Sequence, residues 1–282
     1  MKSGYVDMFH DKRSALSGYV SGLLSTGRTA FTADEAEQAL GVGHGAFLDA
    51  AERLQRRKAL VSPRQGFYVV VPPQYASWGA PPPTWYIDAL MRREGHAYYV
   101  GLLMAAQYHG ATHHAVMEFQ VLAAKRLPRL LVGRSRIAFY FRKDMEAVAA
   151  GIEGRKTDTG TMNISSAALT ALDLLRYPQA SGGIGHVATV LSDLAEKIDP
   201  DQLAALAALV ERPVAQRLGH LLEQGGHSAV TGPMLNALRA RGAPPWTELD
   251  RQDARDPDFA PEPRERDSRW RVIVRRVPEL DE

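Results

Sequence analysis

Residues 29–72 place two short amphipathic segments on either side of a glycine turn and follow them with a short apolar hairpin. No other stretch narrows the fold as much. Thr32 followed by Glu35 predicts a capping box, in which the hydroxyl accepts from the Glu35 amide and the Glu35 carboxylate reaches back. The helix it opens runs through Ala36, Ala39 and Leu40, and Gly41-Val42-Gly43 stops it. A second helix is predicted from His44 to Lys58, with Phe47, Ala50, Ala51 and Leu54 as its core stripe at three- and four-residue spacing. Leu60-Val61-Ser62, a turn over Pro63-Arg64-Gln65-Gly66, and Phe67 to Val71 then predict a β-hairpin with a basic tip. That order is a winged helix-turn-helix, whose second helix enters the major groove of DNA. A helix pair with a hairpin also serves as a protein-docking module, and both readings stand at this point.

If the module binds DNA, its candidate contacts are Thr32, His44, Gly45, Asp49, Arg53, Arg56, Arg57 and Lys58, joined by Arg64 and Gln65 on the hairpin tip. Asp49 and Glu52 lie on the same face and repel phosphates, and residues 1–75 carry nine Lys/Arg against seven Asp/Glu. The stronger single-sign run is elsewhere. Lys125, Arg126, Arg129, Arg134, Arg136, Arg142 and Lys143 fall in a stretch, 125–143, that contains no acid. They suit a patch for phosphate or a partner, with affinity that falls as salt rises. They equally suit solvated charges guarding exposed strand edges.

The chain has 282 residues, enough for two domains, and a formal net charge of only +2. It has no cysteine, which removes disulfides, thiolate metal sites and cysteine catalysis. The opening residues MKSGYVDMFHDKRS are polar without an apolar centre, and no run approaches the roughly 18 apolar residues of a membrane span. A soluble, cytoplasmic protein without membrane contact is expected.

An α+β organisation is predicted: a winged helix-turn-helix at 1–75, a proline-rich linker at 76–86, and a larger mixed α/β C-terminal domain at 87–282 with a small sheet and a helical region. An opening helix near Lys12–Leu24 completes the first domain. Trp85–Arg93 and Val100–His109 read as helices. Val116–Ala123, Arg129–Val132 and Arg136–Arg142 read as strands, and Ile137 to Phe141 is apolar on both faces, as burial on both sides demands. Thr157–Ile164 reads as a turn and strand. Ser165 or Ser166 caps a helix through Leu175. Further helices are read at Val187–Ile198, Pro200–Val210 and Val214–Gln224, and a closing strand at Trp270–Val274.

Chemical constellations are weak. His109 and His113 are four apart, but Gly110 should end the helix between them and no carboxylate stands at ligand spacing before Glu118. Gly182-Gly183-Ile184-Gly185-His186 lacks the Lys-Ser/Thr of a phosphate loop. No G-x-S-x-G elbow is present. No metal, no cofactor and no catalytic residue is expected.

Several segments taken together carry a family resemblance. They are the hairpin ending Gln65-Gly66-Phe67-Tyr68, the run Tyr98 to Leu103 with His109-Gly110, Ser165–Pro178, Ser181-Gly182-Gly183, Gln216–Glu223 (QRLGHLLE) and Trp270–Val274. In this order and spacing the chain resembles the AbiEi family, the antitoxin and regulator half of type IV toxin–antitoxin systems in phage defence. The resemblance implies an autorepressor that binds inverted repeats in its own promoter, as a monomer or weak dimer cooperative on DNA. It also implies a neighbouring nucleotidyltransferase-like toxin, counteracted directly or indirectly. One departure concerns the hairpin tip, which has one arginine where members often have two or three. Two other readings remain: a C-terminal domain that is an enzyme acting on the toxin or on nucleic acid, and a stand-alone transcriptional regulator.

Overall fold

The structure, a computed structural model, describes residues 4–112, 115–256 and 260–278, with side chains from Ala15 onward. Its first helix, α1 (Gly4–Ser25), starts well before the Lys12 predicted from sequence. Then come β1 (Ala30–Thr32), α2 (Ala33–Leu40), α3 (His44–Arg56), β2 (Leu60–Arg64) and β3 (Phe67–Val70). The predicted capping box is complete: Thr32 Oγ1 accepts from the Glu35 amide at 3.2 Å and Glu35 Oε2 from the Thr32 amide at 2.7 Å. Gly41 closes α2 in the left-handed region. Leu16, Val20, Phe31, Ala36, Phe47, Ala51, Leu54, Leu60, Tyr68 and Val70 share one core, where the Phe31 ring stacks on Tyr68 and Phe47 meets Tyr68 edge-on.

Two boundaries differ from the sequence reading. Helix α3 ends at Arg56, because Arg57 caps it and Lys58 turns left-handed at φ 57°. The hairpin turn is only Gln65-Gly66, since Pro63 and Arg64 continue β2; Ser62 Oγ, donating toward the Arg64 and Phe67 carbonyls, ties the two arms together. Strand β3 lies between β1 and β2 in an antiparallel sheet, with Ala30 opposite Val69 and Leu60 opposite Val70. The proline-rich stretch forms 3-10 turns at Pro73–Tyr75 and Pro83–Trp85, and Ala80 and Pro83 are buried. Trp85 anchors it: its indole donates to Asp158, and its carbonyl accepts from the Thr29 and Thr159 hydroxyls.

Beyond α4 (Ile87–Glu94) the sequence predicts a helix from Val100, but the aromatic and β-branched run enters a sheet first as β4 (Tyr98–Val100). The helix, α5 (Leu102–Tyr108), begins only after Gly101. Next come β5 (Phe119–Ala123), β6 (Leu130–Val132), β7 (Ser135–Phe141), β8 (Ile152–Thr157) and β9 (Gly160–Ser165). The six-stranded sheet has the order β6-β7-β5-β4-β9-β8; β4 runs parallel to β9, and β6 antiparallel to β7.

The helical region holds α6 (Ala167–Arg176), α7 (Gly183–Leu194), α8 (Pro200–Ala207), α9 (Arg212–Gln224) and α10 (Ser228–Ala240). Ser166 caps α6 by accepting from the Leu169 amide, as read from sequence. The sequence reading assigns no helix to α10, which carries Pro233 in its interior. A last sheet sets β12 (Val272–Val274) between β10 (Thr247–Glu248) and β11 (Glu265–Asp267). The fold is α+β.

By compactness the chain separates into two units that interleave in sequence. Unit 1 comprises Met1–Tyr98, Lys125–Tyr140 and Gly154–Met162; unit 2 comprises Tyr99–Ala124, Phe141–Glu153 and Asn163–Glu282.

Candidate nucleic-acid interface

Burial of Phe47, Ala51 and Leu54 on one side of α3 leaves His44, Gly45, Leu48, Asp49, Glu52, Arg53 and Arg56 exposed. Arg57 and Lys58 follow, also exposed. Arg53, Arg57 and Lys58 have no ion-pair partner among the described residues. Arg56 Nη2 donates to Glu52 Oε1 at 2.6 Å across one helical turn, with both side chains mostly exposed. Such surface pairs are worth about 0.5 kcal/mol or less, so the guanidinium is easily drawn to another anion. His44 Nδ1 sits 2.7 Å from Glu37 Oε1. The Thr32 hydroxyl is spent on the α2 cap. Beside α3 a groove of about 850 Å³ is lined by His44, Leu48, Gln55, Ser62, Arg64, Gln65 and Arg93 among others, with Asp34 and Glu94 adding acid.

The hairpin tip differs from its sequence-based role. Arg64 is held rather than projecting: its Nε lies 3.6 Å from Glu94 Oε1 and its Nη2 donates to the Pro128 carbonyl at 3.2 Å. Arg93 Nη2 in turn donates to the Gln65 carbonyl at 2.5 Å. The guanidinium is thus engaged by a carboxylate and a carbonyl and is three-quarters covered, lying against its neighbours rather than outstretched. Arg93 and Glu94 were missed because only tertiary contact brings positions about 30 residues apart together.

The basic stretch divides. Lys125, Arg126, Arg129, Arg134 and Arg136 belong to unit 1 and are exposed. Arg142 and Lys143 belong to unit 2, and Arg142 leaves the patch altogether at 1% exposure. Its amide continues the sheet by donating to the Ala123 carbonyl, and its guanidinium Nη1 donates to Asp173 and to the Tyr99 hydroxyl at 3.2 Å. Tyr99 donates to the other Asp173 oxygen at 2.6 Å. Burial pushes the Asp173 carboxyl up while the Arg142 guanidinium pulls it back down. Burial, reinforced by the Asp173 charge, holds the Tyr99 hydroxyl protonated far above the usual tyrosine range. The Nε and Nη2 atoms of Arg142 are buried with no hydrogen-bond partner among the described residues, so the cluster is a cation locked in the interior.

Another residue the sequence reading passed over as a contact is Trp78, exposed at 56%, with the Arg134 guanidinium 5.7 Å above its ring. An aromatic next to a proline run gave a packing signal, not a binding one.

The segments that carried the resemblance build scaffold. On α9, Gln216 Nε2 donates to the Pro245, Trp270 and Arg271 carbonyls, and Arg217 donates to the Glu248 carbonyl and the Thr247 hydroxyl. His220 Nδ1 lies 2.8 Å from Asp267. A Cβ on Gly219 would fall 2.3 Å from the Trp270 ring, so only glycine admits that indole. QRLGHLLE is thus a clasp for the C-terminal sheet. His109 Nε2 meets the Ser165 carbonyl at 2.8 Å, and no metal-holding group of three His, Asp or Glu occurs among the described residues. His113 and His114 lie outside them. No helix among the described residues is long and apolar enough to cross a membrane.

Comparison with known proteins follows the same lines. No curated protein matches the chain. The crystal structure of RV2827C protein from Mycobacterium tuberculosis is similar in fold, with a TM-score of 0.67 over 93% of this chain and 91% of that one at 19% identity. Residues 99–224 match the AbiEi antitoxin C-terminal domain, a span that begins where unit 2 begins and takes in α5 through α9. The match covers a little under half of the chain and supports an AbiEi-family antitoxin.

Proposed function

We propose that the chain is the DNA-binding autorepressor and antitoxin of a toxin–antitoxin operon. Its N-terminal elements act as a winged helix-turn-helix on inverted repeats in its own promoter, and it counteracts a nucleotidyltransferase-like toxin made beside it. The observation that carries the DNA half is α3: a helix with one face fully committed to the core, whose outer face and end present Arg53, Arg56, Arg57 and Lys58. A helix of this kind, second after a glycine turn and followed by a hairpin, is the arrangement that reads base edges in the major groove. The antitoxin half rests on the family match at 99–224. Two copies would occupy half-sites about one helical turn apart, or a multiple of it.

The test measures promoter binding by fluorescence anisotropy. Arg53→Ala or Arg56→Ala lowers affinity by about 1–3 kcal/mol if the residue reads a base. Unchanged affinity and salt slope in both variants would sink the assignment of α3. Co-expression with the product of the adjacent gene tests neutralisation, and continued growth arrest in the presence of this chain would refute it.

A further inference from the structure

The segment Lys125–Tyr140 falls inside the span matched to the antitoxin domain, yet it clusters with the N-terminal unit. We propose that the β6–β7 hairpin and the loop leading into it form a second phosphate-binding element of the DNA interface, supplying the backbone contacts that the held β2–β3 tip does not. This rests on the promoter-binding reading above.

Three observations carry it. The first is position. Arg64 donates to the Pro128 carbonyl, so the loop bearing Arg126 and Arg129 abuts the tip of the β2–β3 hairpin within unit 1. The second is charge: Lys125, Arg126, Arg129, Arg134 and Arg136 are all exposed, and no acid lies among residues 125–136. The third is pre-organisation at the hairpin turn. Gly133 is left-handed at φ +58°, and a Cβ there would stand 2.3 Å from the Trp78 carbonyl, so the turn is seated directly on Trp78. The Arg134 amide donates to that same carbonyl at 3.0 Å, and its guanidinium lies over the indole. A cation already resting on an aromatic face loses less freedom on meeting a phosphate.

Guarding of the sheet edge does not explain the arrangement. β6 is the edge strand, and a guard belongs on its ladder. There the chain places Leu131, 72% exposed, while Lys125, Arg126, Arg129 and Arg134 stand outside the strand. Such a surface fits a polyanionic backbone, held without regard to base sequence.

The experiment uses the full chain, a labelled duplex of the promoter region and the same duplex with its sequence shuffled. The variant is Arg129→Gln/Arg134→Gln/Arg136→Gln, with Arg136→Gln alone as a milder form. Binding is measured across salt. Each phosphate contact contributes about 0.9 to the slope of log affinity against log salt, so the triple variant should lose about 2–3 from the slope and the single variant about 1. Affinity for both duplexes should fall together, leaving their ratio unchanged. An unchanged slope in variants with unaltered melting curves overturns the hairpin while leaving the promoter reading intact. Wild-type binding that ignores sequence, with a slope still carried by the hairpin, overturns the promoter reading and keeps the hairpin. Loss of toxin neutralisation with an unchanged slope would assign the surface to a protein partner and overturn the proposal.

Discussion

The arginines at the α3 surface of unit 1 and two arginines in the interior of unit 2 do opposite work. Those of α3 and of the β6–β7 hairpin stand in solvent, where, among the described residues, Arg53 and Arg57 have no ion-pair partner and Arg56 keeps only an exposed one. In unit 2, Arg142 and Arg217 are buried and their donors turn inward, to Asp173 and Tyr99 in one case and to Glu248 and Thr247 in the other. An exposed cation contributes little to stability and is available to an external anion. A buried one is held by its partners, and removing either partner leaves a charge stranded in low dielectric. Counting basic residues along a chain therefore says little about binding until burial has sorted them.

The comparison breaks most visibly at the ion pair. Asp173→Ala strands Arg142 and should cost about 3–5 kcal/mol in urea unfolding, whereas Arg142→Met/Asp173→Leu together should recover most of it. A small cost for the single change would mean that the guanidinium reaches water. Gly219→Ala, which drives a methyl into Trp270, should cost about 1–3 kcal/mol and loosen the C-terminal sheet, visible as a change in Trp fluorescence. Unit 1 offers the contrast. Thr32→Ala removes a cap worth about 1 kcal/mol, while Arg53→Ala should leave the melting curve within about 0.5 kcal/mol of wild type. A destabilised Arg53→Ala would show α3's outer face to be structural.

Alkaline pH tests burial in both units, through one tyrosine of each. Burial holds the hydroxyls of Tyr86 and Tyr99 protonated in the folded state, above the ordinary tyrosine value. A raised acid contributes its full stability below the unfolded value of about 10 and loses it as pH climbs past that point. The urea midpoint should consequently hold steady from pH 8 to about 9.5 and decline above 10. A flat profile to pH 11 would show that these two hydroxyls reach solvent.

Local chemistry was readable from the sequence, and long-range chemistry was not. The Thr32–Glu35 box, the Gly41 stop, the Phe47–Leu54 stripe and the Ser166 cap each depend on residues within one or two turns, and all stand as read. Arg142 sits among exposed cations in the sequence and only its tertiary partner, 31 residues on, reveals a buried role. Arg64 has the same history, a tip residue whose guanidinium meets the Pro128 carbonyl, 64 residues away. At Tyr98–Val100 the strand overrode a helical pattern because a sheet neighbour, β9, was available to pair with it. The α3 surface was legible because one helix displays it; the strands and charge of the basic hairpin were legible too, but its seat on Trp78 and beside Arg64 was not, because those residues lie 50 or more positions away.

The inclusion of Gly154–Met162 in unit 1 has a consequence for the making of the protein. That unit cannot close until more than half of the chain has left the ribosome. A nascent chain stalled at Tyr98 holds α3 but neither the β6–β7 hairpin nor the Asp158 and Thr159 groups that bind Trp85. Such sequence-distant contacts also slow folding. Synthesis itself thereby orders events: about half of the span matched to the antitoxin domain is translated before the last segment of the N-terminal unit has been made.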